Sequence, residues 1–146
     1  MTVRPMEVLD VDSVAALITQ LGYPSKPQDI ARRFPRIDGR DDQALLVADD
    51  GTAVVGWMHV GAHPYLESDG SAEILGLVVA EGQRSRGVGA ALVSAAELWA
   101  AEHGCQVLRV RSRITRDRAH AFYERAGFER IKTQHCFQKI IRGPSA

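Results

Sequence analysis

The chain has 146 residues, of which 45% are hydrophobic and 25% charged, and this length and composition fit one domain of an ordinary water-soluble protein. No run approaches the ~20 apolar residues that cross a bilayer, and the first residues lack the basic and apolar regions of a signal peptide. Cys105 and Cys136 have no metal-ligand or redox spacing. We therefore expect a cytoplasmic protein without a membrane anchor.

The net charge is zero, but the charges are unevenly distributed along the chain. Residues 1–80 carry 6 Lys and Arg against 12 Asp and Glu, whereas residues 81–146 carry 12 against 6. One interpretation is that the second half binds an anion and the first half a cation. The other is that both sets are solvated faces that compensate one another. No basic run with interleaved aromatic residues is present, so we do not expect nucleic-acid binding.

The first half of the chain alternates between strand-like and helix-like patterns. A short strand over residues 2–6 leads into an amphipathic helix over residues 10–22. A second short helix over residues 27–34 is expected to end before Pro35. Two β-rich runs within residues 43–63, separated by an Asp-Asp-Gly turn, predict a β-hairpin.

The second half continues the alternation. A strand over residues 71–80 precedes the longest helix, which ends at Gly104, and a further strand and a helix ending at Gly127 follow. One or two strands are expected over residues 128–141. The pattern predicts one mixed α/β domain over residues 1–142, with a frayed tail at 143–146. The face of the long helix predicted to be buried consists of Val88, Ala91, Leu92, Ala95 and Trp99.

The segment from Arg84 to Gly89, "RSRGVG", lies between a buried strand and the long helix. The first N–H groups of a helix lack internal partners, glycines allow close approach of a ligand, and arginines carry forked donors suited to phosphate. These features predict an anion site, such as one for a pyrophosphate. The Gly-Lys-Ser/Thr of a Walker loop is absent, and Leu92 replaces the third glycine of a dinucleotide fingerprint. A merely basic turn is the alternative.

Two motifs resemble those of the GNAT superfamily of N-acetyltransferases. "VVAEGQRSRGVGAAL" is similar to the acetyl-CoA loop of that family, with Arg84, Gly87 and Gly89 at its pattern positions. "RDRAHAFYERAGF" resembles the second motif of the family on the CoA side, and the order of the elements is also that of the family. The positions that match the second motif are Ala119, Tyr123, Gly127 and Phe128.

The resemblance implies a GNAT-like domain with a central mixed, mostly antiparallel sheet and helices on both faces. A splayed pair of parallel strands would hold acetyl-CoA, the acetyl donor. Many members carry Asn where this chain has Arg116, and an arginine there would contact a CoA phosphate instead. The residues implied in CoA binding are Leu77, Val78, Val79, Arg84, Ser85, Arg86, Gly87, Val88, Gly89, Ala90, Arg116, Ala119 and Tyr123.

Acetyl transfer to an amine needs a base for the protonated amine and an acid for the departing thiolate. Glu73 is the candidate base: strand alternation places it with Leu75, Leu77 and Val79, and its position resembles that of the glutamate base in histone-acetylating members. The alternatives are a glutamate that pairs with an arginine, or a base made of ordered water. Tyr123 is the candidate acid by resemblance, and a core aromatic is the alternative.

The acceptor is expected to contact Tyr23, Trp57 and His59, and the acidic first half is consistent with a cationic amine. A small-molecule amine is favoured over a protein, and no metal site is expected, because His59 and His63 lie too far apart on an extended strand. Two other classes stay open: an inactive acyl-CoA-binding regulatory module and an unrelated nucleotide-binding protein. Members of the family often form homodimers, but no interface stripe is evident in this sequence.

Overall fold

The structure is a computed structural model that describes residues 1–84 and 86–143. It divides into two compact units, one of residues Met1–Arg111 and a smaller one that begins at Ser112. Each unit is described by itself.

The first unit contains a five-stranded sheet with strand order β1-β2-β3-β4-β5. Strands β1 to β4 pair antiparallel, whereas β5 pairs parallel to β4. This is the mixed, mostly antiparallel sheet that the sequence predicts. The elements in chain order are β1 (Thr2–Pro5), α1 (Val11–Leu21), α2 (Pro27–Ile37), β2 (Gln43–Asp49), β3 (Val54–His63), β4 (Ser71–Val79), α3 (Val88–Glu102) and β5 (Leu108–Val110).

Helices cover both faces of this sheet. On one face, α1 and α2 contribute side chains such as Val14 and Phe34 to a core that includes Trp57 of β3 and Val78 of β4. The neighbouring residue Gly56 points to the opposite face, where a Cβ atom would come within 2.9 Å of Val88 and 3.0 Å of Leu92. Helix α3 therefore packs so closely on the sheet that a side chain at position 56 would displace Val88 and Leu92.

The buried face of α3 differs from the prediction. Val88 and Leu92 are buried as expected, but Ala91, Ala95 and Trp99 are only half-buried. The Trp99 ring stacks on His103, with ring centroids 3.9 Å apart. Because apolar residues surround most of this helix, their spacing does not fix which side meets the sheet. The residues that do so are Val88, Gly89, Leu92, Val93, Ala96 and Ala100.

The prediction for the end of α2 is wrong, since the helix continues through Pro35 to Ile37. Proline lies in the last turn, so its missing N–H group removes only one hydrogen bond near the helix end. The turn is closed beyond it, where the Asp38 N–H donates to the Phe34 carbonyl at 2.9 Å. Phe34 itself is buried in the core, which favours continuation of the helix.

The second unit contains one helix, α4 (Asp117–Arg125), which Gly127 ends with a φ of +96°. The strands expected over residues 128–141 are not present, because the described residues 128–143 form neither helix nor strand. Their alternating pattern would give a strand only with a partner for the backbone groups. Phe137 and Ile140 are exposed instead. None of the described helices has the length and apolar character needed to cross a membrane.

Candidate active site

Strands β4 and β5 separate after a short stretch of pairing. Their parallel register joins Ala72 to Leu108, Glu73 to Arg109 and Ile74 to Val110. Strand β4 then continues to Val79, and no described strand pairs with it on that side. The β4 edge at Leu77, Val78 and Val79 therefore has no described partner strand on that side, which is compatible with the opening between parallel strands that the resemblance implies.

A β-bulge at Leu75 changes which residues of β4 share a face. Ile74 lies opposite Val60 and Gly76 lies opposite His59, so Leu75 is an extra residue in β4. Glu73 therefore does not share a face with Leu77 and Val79, as simple alternation predicts. It lies instead on the side of the sheet that α1 and α2 cover.

The Glu73 side chain is nearly buried and lies beside an arginine and a histidine. Its Oε1 atom is 3.0 Å from Nε of Arg111, and its Oε2 atom is 3.5 Å from Nε2 of His63. The apolar surroundings expected from the strand pattern are therefore not present. The alternative of a pairing with an arginine is what the structure shows, and it leaves one carboxylate oxygen facing the imidazole.

His59 and Trp57 lie on the same face as Glu73. The His59 Nε2–H donates to Oε1 of Gln43 at 2.6 Å, which leaves Nδ1 as an acceptor. Burial lowers the pKa of His59, and His63 acts in the same direction, so the ring is neutral at pH 7. A Cβ atom on Gly76 would lie 2.6 Å from the Trp57 ring. The indole therefore covers the backbone directly after the bulge.

The segment after β4 reaches α3 through a short 3-10 turn over Glu81–Gln83. Arg84 and Arg86 are exposed, and Gly87 adopts the left-handed conformation, with a φ of +80°, at the start of α3. Two arginines thus lie in the segment that enters the N-terminus of α3, and an anion is stabilised at such a helix end. Ser85 lies outside the described residues. Val88 and Gly89 are buried, whereas Ala90 is exposed.

The remaining candidates occupy two places. Tyr23 is exposed directly after α1, in the first unit. In the second unit, Tyr123 packs edgewise on Phe128, with ring centroids 5.6 Å apart, and Arg116 and Ala119 lie at the beginning of α4. Burial raises the pKa of the Tyr123 hydroxyl, although Arg116 opposes this shift. The hydroxyl is therefore protonated at neutral pH and can donate.

Sequence reasoning did not identify Arg111, His63 or Gln43 as neighbours of the site. Arg111 could have been found, because Arg109 and Arg111 alternate on one face of the strand predicted beside β4. His63 pairs with Ser71, two residues from Glu73, but only the hairpin register reveals this. Gln43 carried no sequence signal.

The parallel β4–β5 pair and the glycine-containing start of α3 agree with the expectation from the two sequence motifs. The model of the acetyltransferase (GNAT) family matches residues 11–128. The chain therefore belongs to this family of acetyl-CoA-dependent N-acetyltransferases. The enzyme class and the co-substrate that the motifs predict are thereby confirmed.

Individual acetyltransferases are similar to this chain over almost its whole length. The chain is 32% identical over 147 residues to the aminoglycoside N(6')-acetyltransferase type 1 of Klebsiella aerogenes, covering 95% of this chain and 96% of that protein. The apo structure of AAC(6')-IG from Acinetobacter haemolyticus has a TM-score of 0.84 at 17% identity, covering 97% and 100% of the two chains. The structure of AAC(6')-Iy with the bisubstrate analogue CoA-S-monomethyl-acetylneamine has a TM-score of 0.85 at 19% identity, covering 96% and 98%. The two structures show that the fold is shared.

Proposed function

We propose that the protein transfers an acetyl group from acetyl-CoA to a primary amine of a small cationic molecule of the aminoglycoside type. The observation that carries this proposal is the position of Glu73, a nearly buried carboxylate beside the bulge of β4 and the opening between β4 and β5. The relative at 32% identity acts on the 6'-amine of aminoglycosides, which supports the choice of substrate class.

Acetyl-CoA would bind along the opening between the strands. Pantetheine would follow the edge of β4 at Leu77, Val78 and Val79, and the loop with Arg84 and Arg86 would hold the pyrophosphate at the start of α3. The resemblance to the family also assigns Arg116, directly before α4, and Ala119 within α4 to CoA binding. A backbone N–H near Val79 would polarise the thioester carbonyl.

The reaction would proceed by direct attack in a ternary complex. Glu73 would take a proton from the ammonium group, either directly or through water, because only the neutral amine attacks the thioester. Arg111 would hold one carboxylate oxygen, leaving the other for the proton. The C–N bond would form as the C–S bond breaks, and Tyr123 would give its proton to the thiolate of CoA.

The acceptor would enter on the face covered by α1 and α2. Trp57 and His59 line this face with Glu73, and Tyr23 follows α1. Asp41 precedes β2, and Glu67 and Asp69 lie in the loop before β4. These carboxylates favour a substrate that carries several ammonium groups.

The test is release of CoA thiol in the presence of acetyl-CoA and paired aminoglycosides. One member of each pair carries an amine at position 6' and the other a hydroxyl at that position. We expect turnover only with the 6'-amine. Equal turnover with both members would contradict the proposed site of transfer, and binding of acetyl-CoA without turnover on any amine would favour the inactive binding module.

A further inference from the structure

We propose that Gln20 is a positioning residue, which holds the CoA-binding loop in place by joining α1 to the end of β4. The inference rests on the proposed role of the loop around Arg84 in CoA binding. The Gln20 Nε2 group donates to the Val79 carbonyl at 2.8 Å, and the Glu81 N–H donates to Gln20 Oε1 at 3.2 Å. One side-chain amide therefore pairs with both ends of the Val79–Glu81 segment.

The chain changes direction within this segment and leaves backbone groups to be satisfied. Val79 is the last residue of β4, and Glu81 begins the 3-10 turn that leads to the loop. The Ala80 N–H between them donates to the Val55 carbonyl of the neighbouring strand at 2.8 Å. The first N–H group of a helical turn has no partner inside the turn, and Gln20 supplies that partner from outside.

Gln20 is well suited to this task because its amide offers a donor and an acceptor on one rigid plane. The residue is half-buried in the last turn of α1, which is itself fixed by core residues such as Val14 and Leu17. The contact thus transmits the position of a packed helix to a segment that has strand pairing on one side only.

The Gln20 contacts also affect the position of the groups that would contact the pyrophosphate. Arg84 follows Glu81 by three residues, and its N–H lies 3.5 Å from the Glu81 carbonyl. A shift of the turn would therefore move Arg84 and the chain that enters α3. Because binding depends on the placement of these donors, loss of the Gln20 contacts should weaken acetyl-CoA binding more than amine binding.

The test compares Gln20→Leu, which removes both hydrogen bonds at similar size, with Gln20→Glu, which keeps an acceptor for the Glu81 N–H but cannot donate to Val79. Gln28→Leu, at an exposed glutamine of α2, is the matched control. The Kd for acetyl-CoA is measured by titration calorimetry, with the KM for the amine at saturating acetyl-CoA. We expect Gln20→Leu to raise the Kd about three- to tenfold, Gln20→Glu to raise it as well because its carboxylate would face the Val79 carbonyl, and Gln28→Leu to leave it unchanged.

A second measurement, hydrogen exchange of the Glu81 amide, does not depend on enzyme activity. In the absence of ligand, the Glu81 amide should exchange its hydrogen faster in Gln20→Leu than in the wild-type chain, while amides within α1 keep their rates. If Gln20→Leu does not fold, Gln20→Glu still provides the comparison of the Kd for acetyl-CoA.

Three results would overturn the inference. They are an unchanged Kd for acetyl-CoA, a parallel rise in the amine KM that indicates general loss of structure, and unchanged exchange at Glu81. Failure of the proposed function is recognised separately, because the wild-type chain would then not bind acetyl-CoA and Arg84→Ala would have no effect. Wild-type binding that Arg84→Ala weakens, together with no change in Gln20→Leu, would contradict the role of Gln20 alone.

Discussion

Oε1 of Glu73 lies 3.0 Å from Nε of Arg111, and this ion pair joins the parallel strand β4 to the chain directly after β5. The carboxylate is nearly buried, whereas the guanidinium is 77% exposed. The pair therefore fixes the orientation of the carboxylate that we propose as the base, while its outer member stays in contact with solvent.

Replacement of Glu73 by Gln tests the base. The amide has nearly the same shape but cannot accept the amine proton, so kcat should fall by about 10²–10⁴-fold while the Kd for acetyl-CoA stays the same. Steady-state rates over a range of pH, with calorimetry for binding, provide the check. If turnover is unchanged at every pH, Glu73 takes no part in the mechanism.

We expect Arg111 to affect kcat less than Glu73 does. An ion pair with an exposed partner contributes about 0.2–1 kcal/mol, so Arg111→Met should lower kcat by up to about fivefold. Arg109, an exposed residue of β5 two positions earlier in the chain, gives a matched control as Arg109→Met. Equal losses in both variants would show that strand charge, rather than the contact with Glu73, is responsible.

Tyr123→Phe tests the acid. Removal of the hydroxyl should lower kcat much more than it lowers acetyl-CoA affinity, because the thiolate loses its proton donor. Since burial raises the pKa of Tyr123, the wild-type rate should not decline through its ionisation below about pH 10. Parallel losses of kcat and acetyl-CoA affinity would instead indicate that the ring only packs against other residues.

His59 gives a pH dependence of stability. Its pKa is lowered in the folded chain, so the unfolded chain binds the proton more readily. Its stabilising contribution is present above pH 6.5 and is lost as the pH falls through the folded-state pKa. Urea unfolding at about pH 7.5 and about pH 5.5 should therefore show a smaller acid-side loss in His59→Gln than in the wild-type chain. An identical loss of stability in both chains would exclude His59 as a cause of the destabilisation at acid pH.

Gly76→Ala tests the packing after the bulge. A Cβ atom there would lie 2.6 Å from the Trp57 ring, so the free energy of unfolding should fall by about 1–3 kcal/mol. Gly82 has nothing within 4 Å of its Cβ position, and Gly82→Ala should change stability by less than about 0.5 kcal/mol. Similar denaturation midpoints for both variants would contradict the close contact.

The elements that the sequence predicts correctly are those whose ends are marked by neighbouring residues. Gly22 and Gly127 end their helices as expected, and the Asp-Asp-Gly turn forms the β2–β3 hairpin. The bulge at Leu75 could not be predicted, because one inserted residue leaves the composition of the strand unchanged but reverses its faces. The strands expected after residue 128 do not form for another reason. An alternating pattern is typical of a strand, but it does not supply the neighbouring strand that must pair with it.

In the candidate site, too, residues close together in the sequence could be predicted, whereas contacts between distant residues could not. The loop around Arg84 belongs to a continuous motif and Glu73 lies at a fixed distance before it, so both could be proposed from the sequence. The Arg111 and His63 contacts of Glu73 depend on strand register, and the Gln20 contact joins residues about sixty positions apart. Such pairings follow from packing and have no local signal.

The measurement that tests the central claim most directly is thermal unfolding of the wild-type chain with acetyl-CoA, with ATP as the control ligand. At about 100 times its Kd, acetyl-CoA should add about 2.7 kcal/mol to the free energy of unfolding and raise the Tm by several degrees. We expect this shift with acetyl-CoA and not with ATP. No shift with acetyl-CoA, or an equal shift with ATP, would contradict the assignment of the opening between β4 and β5 and the adjoining loop to acetyl-CoA.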